Sequence, residues 1–138
     1  MNPTTRRVHV GQAGLVRGLI LVWLVIAAVV AVTALDAASI AFTKFRLADV
    51  ASAASTQAAN AYRSTPNVAT ACQAAEASIA ADDAAAKLAK NGCTIDTQTG
   101  LVTITVRKEA KTILAGRVGF TKHFAKVSAS ETNGPTAL

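Results

Sequence analysis

The chain has 138 residues, a net charge of +6, and 51% hydrophobic but only 4% aromatic residues. That length leaves room for one small domain once a membrane segment is subtracted, and an apolar content made mainly of alanine and valine gives a modest core. Such a fold is weakly stabilised by packing alone.

Residues 1–13 form a short basic tail with Arg6, Arg7 and His9 and no acid. Between Arg17 and Asp36 no residue is charged, and "GLILVWLVIAAVVAVTAL" supplies eighteen positions, close to the ~20 that a spanning helix needs. A transmembrane helix is therefore expected over 14–36. Bases before it and an acid after it place the N-terminus in the cytoplasm and the rest outside. Trp23 reads as lipid-facing bulk or helix packing within the span rather than as an interface belt. Val32-Thr33-Ala34 does offer the small residues that a signal peptidase accepts. Against a cut, the apolar run exceeds the ~7–15 residues of a signal peptide and continues with no Gly or Pro before Pro66.

One long helix is expected from about Gly14 to Ser64, with residues 37–65 as an extracytoplasmic stalk. Ile40, Leu47, Ala51, Ala54, Ala58 and Ala61 recur at three-, four- and seven-residue spacing and form a stripe of mostly small side chains. Within the span, Ala27, Ala31, Ala34 and Ala38 form a similar ridge, and Gly14 and Gly18 make a small-xxx-small pair. These are candidate helix-packing positions. Alanine is equally the plain filler of an alanine-rich chain. Asp36 reads as a solvated carboxylate just past the hydrocarbon, with a buried polar contact to a partner helix as the other option. Arg46 and Asp49 are spaced for a local pair.

Ser64-Thr65-Pro66 ends the long helix, and Thr65 or Asn67 would cap the next. That second helix reads "NVATACQAAEASIAADDAAAKLAK" and is expected to stop at Asn91-Gly92, burying Val68, Cys72, Ala75 and Ile79. Asp82 and Asp83 interrupt this stripe and point to a solvated end. Beyond Gly92 the period becomes two. "CTIDT" and "LVTITV" predict a hairpin around "TQTG", with Gly100 in the left-handed position. A short helix or turn is expected around Thr112 to Ala115, and "AKVSASE" predicts a third antiparallel strand. The tail "TNGPTAL" has no periodicity.

The residues from 66 to 138 thus form a small α+β domain, a helix on a three-stranded antiparallel sheet. Cys72 and Cys93 fall on inward faces of adjacent elements. In an exported domain they would pair and close a loop of about 20 residues, for roughly 3 kcal/mol; in a reducing compartment they would be buried thiols. No metal or cofactor site is suggested, because nothing completes a ligand set. His9 and His123 stand in no triad, and no phosphate loop or dinucleotide pattern occurs. The expectation is therefore a non-enzyme. Arg107, Lys108, Lys111, Arg117, Lys122 and Lys126 form a candidate basic face for anionic lipid, cell-wall polymer or an acidic partner. Export argues against nucleic acid, and a solvated basic face needs no partner at all.

A short basic tail, one span, Asp36 directly after it and then "FTKFRLADVASAASTQAANAY" resemble the TadE/TadG-like proteins of Tad (tight adherence, Flp-type) pilus systems. In that family the stretch after the span holds an aspartate, a basic residue or two and an Ala-rich run. Asp36, Lys44, Arg46 and Ala48 to Ala61 match it, and the resemblance covers residues 14–64. Pilin and pseudopilin members are cut after a glycine whose fifth following residue is glutamate. Here Trp23 takes that place after Gly18, and the first glutamate is Glu76. The resemblance therefore implies an uncleaved, pseudopilin-like accessory component in the bacterial cell membrane, with a pilin-like fold and other membrane-anchored subunits, or further copies of itself, as partners. The alternative is a secreted domain, cut after Ala34, that binds anionic wall or lipid through its basic C-terminal face.

Overall fold

The computed structural model describes residues 12–115, 117, 119 and 121–134, with side-chain surroundings from Val16 onward. The chain is α+β. Helix α1 (Gln12–Ser64) is followed by α2 (Val68–Asp82), then by strands β1 (Lys87–Ile95), β2 (Val102–Glu109) and β3 (Lys126–Asn133), with a short 3-10 helix at Lys122–Ala125. The strands form one antiparallel sheet in the order β1-β2-β3.

The 53 residues of α1 make a rod of about 80 Å. No helix breaker interrupts it before Pro66. Asn67 then caps α2, its side chain accepting from the Ala69 and Thr70 amides at 2.8 and 3.2 Å. The short connection turns α2 back along the outer half of α1. Where the two helices meet, Ala51, Ala54, Ala58, Ala71 and Ala75 are fully buried, so small side chains bring the backbones close. Residues 37–65, expected as a stalk, thus include the central helix of the domain. Leu47 and Ile79 fill the space toward the sheet, where Val102, Ile104 and Val106 supply the fully buried face of β2. Each of these larger side chains contributes about 1.5–3 kcal/mol, more than any alanine in the core. The opposite face of the sheet is wet, and Thr103 and Thr105 bond there to Thr132 and Ser130.

The second helix is shorter than its composition suggests. It ends at Asp82, and Asp83 adopts an extended conformation as its C-cap. The Asp83 carboxylate accepts from the Ala85 amide at 3.0 Å and from Lys108 on β2. Ala84 and Ala85 form a turn, and the chain becomes strand at Lys87, where Lys87 and Leu88 pair with Arg107 and Val106. Asn91 and Gly92, expected as a helix stop, lie inside β1. The register slips between Leu88 and Cys93, which pair with Val106 and Ile104, so β1 holds three extra residues in a wide bulge. Asn91 supplies the left-handed residue at φ 56°, and Gly92 supplies the close approach: a Cβ there would lie 2.5 Å from the Thr105 carbonyl oxygen. On the inner face of α2, Ala71 is buried together with Ala75 and Ile79, Cys72 is half-buried and Val68 is exposed.

The hairpin forms where its alternation predicts. Gly100 is left-handed at φ 71°, and the Asp96 carboxylate accepts from the Gln98 amide and the Thr99 hydroxyl. The third strand also forms and ends on Asn133, whose amide donates to the buried Ser55 hydroxyl at 2.6 Å and the Ser52 carbonyl at 3.2 Å. The disulfide Cys72–Cys93 joins α2 to β1 with Cα atoms 6.0 Å apart.

Candidate functional site

From Val16 to Leu35 no residue of α1 is buried. An eighteen-residue window within Val16–Ser64 reaches a mean hydropathy of 2.8 with no residue buried, and by length and composition this helix is able to cross a membrane. Gly18, Ala27, Ala31, Ala34 and Ala38 are all exposed, and a Cβ on Gly18 would meet nothing within 4 Å. Gly14 belongs to α1, but its surroundings lie outside the described residues. Ala51, Ala54 and Ala58 are covered by the chain's own α2 and sheet. The small-residue positions thus divide into an open set below Asp36 or just above it and a filled set further out.

Asp36 marks the division. It is only 6% exposed, and its carboxylate accepts from the amides of Ile113, Leu114 and Ala115 at 2.6, 2.8 and 2.9 Å. One layer of backbone covers it. Three residues on, the Ser39 hydroxyl donates to the Lys111 carbonyl at 2.6 Å. The segment after β2 is therefore strapped to the helix at the point where the apolar run ends, so that run closes at Leu35 and Asp36 belongs to the domain. The amides of Ile113, Ala115 and Leu114 favour the charged form, and they hold the carboxyl below its usual range against the opposing effect of desolvation. Sequence reasoning favoured a solvated Asp36 and missed this strap. The available signal was spacing: Asp36, Ile40, Thr43 and Leu47 follow one helical stripe, and Leu47 is core.

The candidate basic residues gather at the same end of the domain. Lys108 pairs with Asp83, whose carboxyl is lowered mainly by that hydrogen bond. Arg107 lies opposite Lys87, and Lys126 opposite Glu109. Together they line an open cleft of about 310 Å³. Lys111 follows next to Ser39, and the Arg117 amide bonds to the Leu114 carbonyl at 2.9 Å. Lys122 opens the 3-10 helix, whose last residue, Ala125, accepts from the Ala110 amide at 2.7 Å.

A polar cleft of about 590 Å³ between α1 and α2 is lined by Asp49, Ser52, Thr56, Gln57, Asn60, Ser78 and Asp82. It contains no histidine, cysteine or lysine that would activate its serines. His123 packs against Phe124 at 3.8 Å between ring centroids, and His9 lies outside the described residues. Among the described residues no group of three His, Cys, Asp or Glu side chains is arranged to hold a metal ion. No family model, curated protein or solved structure matches the chain.

Proposed function

We propose that the chain is a non-enzymatic, membrane-anchored structural or accessory component of a Tad/Flp-type pilus or secretion assembly. One observation carries the reading: an uncovered apolar helix runs without a break into the core of a small folded domain. Such a helix is stable as a bilayer span and wasteful as part of a soluble protein. Arg6, Arg7 and Arg17 before the uncharged run favour a cytoplasmic N-terminus in the bacterial cell membrane. The Cys72–Cys93 disulfide suits a domain on the oxidising side. Val32-Thr33-Ala34 lies within continuous helix, with the Thr33 hydroxyl bonded to the Val29 and Val30 carbonyls, which supports an intact anchor over a cut one. Gly18, Ala27, Ala31, Ala34 and Ala38 form the surface that neighbouring helices, or a second copy, would use.

The test places a photocrosslinking residue at Ala31 or Ala38 in the native cell. The proposal expects crosslinks to other membrane-anchored pilus or secretion subunits. Recovery of a soluble product without the apolar segment, and without crosslinks, would favour the secreted binding module.

A further inference from the structure

The end of the domain nearest Asp36 has an unusual surface. Among the described residues outside the apolar half of α1, seven large hydrophobic residues are exposed; Ile113 and Leu114 lie at this end beside Asp36, Phe124 follows on the adjoining 3-10 helix, and Phe42 and Phe45 stand six and nine residues beyond Asp36 on α1. The packing of the domain makes no use of the exposed Ile113 and Leu114 side chains. Lys111 and Arg117 flank Ile113 and Leu114 in the chain, and Lys44 lies between the two phenylalanines. Apolar tips ringed by bases fit an anionic bilayer surface.

The Asp36 strap fixes where this surface stands. Leu35 is the last residue of the apolar run, and the polar region of a bilayer extends about 5–7 Å beyond the hydrocarbon on each side. The amides of Ile113, Leu114 and Ala115 are bonded directly to the Asp36 carboxylate, so their side chains stand at headgroup level if α1 spans. The lipid is then a neighbour at every moment, since the tether keeps the effective concentration high.

We propose that this end of the domain is a membrane-docking face: Ile113 and Leu114 enter the boundary between headgroups and acyl chains, and the adjoining lysines and arginines meet anionic headgroups. The inference rests on α1 being a span, and the experiment separates the two ideas. Trp23 is the single tryptophan of the chain and serves as a built-in probe of the span. The full chain is reconstituted in vesicles of equal parts phosphatidylcholine and phosphatidylglycerol, with acyl chains brominated either near the carbonyl or near the terminal methyl. In the unaltered chain, quenching of Trp23 reports that α1 is in the bilayer. A second chain carries Trp23→Phe with Leu114→Trp, a substitution at an exposed position, and retention of the Cys72–Cys93 bond checks its fold. The expected result is a blue-shifted indole at position 114, quenched more by bromine near the carbonyl than by bromine near the methyl. Quenching should also fall in pure phosphatidylcholine. An unquenched indole at 114 beside a quenched Trp23 would overturn the docking face and leave the span; an indole that is blue-shifted but unquenched would point to a protein neighbour and overturn it equally. An unquenched Trp23 would remove the span and the docking face together.

Discussion

Replacing both Cys72 and Cys93 by alanine removes the one covalent link between α2 and the sheet. The bridged residues are separated by 21 positions. For a loop of that size, the chain-entropy model gives about 11 cal/mol/K, or about 3 kcal/mol at 25 °C. The loss falls on a domain whose helix–helix contact is built from alanines, so little else compensates. For a domain of this size, it corresponds to a fall in Tm of roughly 10 to 25 °C. The assay is thermal unfolding of the full chain in detergent, followed by near-ultraviolet circular dichroism and by hydrogen exchange at the β2 amides. The exposed half of α1 stays helical in detergent and does not contribute to the transition. A double variant that melts within a few degrees of the unaltered chain would show that the loop is already ordered without the bond, and would refute the entropic reasoning.

Gly92→Ala should lower stability by about 1–3 kcal/mol or more, because its Cβ would lie 2.5 Å from the Thr105 carbonyl and no flexible side chain is there to yield; urea unfolding measures it, and an unchanged midpoint would argue against the bulge. Asp36→Ala should abolish the slow exchange of the Ile113, Leu114 and Ala115 amides and spare those of α1 and β2, and protection that persists would mean that the loop has another support. Asp36, Asp83 and Asp96 all titrate below the ordinary carboxyl range. Stabilisation of that kind is fully present above the unfolded value of about 3.9 and is lost as pH falls through the lower folded values. Tm should therefore be flat from neutral pH to about 4 and drop below it. Lys108→Met should shrink the drop, since the Lys108 hydrogen bond is the largest cause acting on Asp83.

The long helix, the Asn67 cap, the hairpin at Gly100 and the third strand were legible in the sequence because each rests on local physics: uninterrupted propensity, a side chain that reaches its own amides, and alternation at a period of two. The end of α2 was not. The segment from Asp83 to Lys90 is rich in helix formers, yet its pairing with β2 and the contact of Asp83 with Lys108 outweigh propensity, which is worth only a few tenths of a kcal/mol per residue. Asn91 and Gly92 were assigned to a helix end with Gly92 as the left-handed residue, whereas Asn91 takes that conformation, inside β1; a bulge and a C-cap ask for the same residue types. The strap at Asp36 joins residues 77 to 79 positions apart, a distance at which single-sequence patterns carry no pairing information. Only its place on the buried stripe hinted at it. The basic residues were visible singly, and it is the folding of β2 and β3 onto the lower part of the domain helix that collects them at one end.

The central claim, an intact anchor continuous with an oxidised outer domain, is tested most directly by the mass of the chain isolated from membranes, before and after reduction and alkylation. The account predicts the full-length mass, with both cysteines alkylated only after reduction. A chain that has lost about the first 34 residues, or one whose cysteines alkylate without reduction, would contradict it.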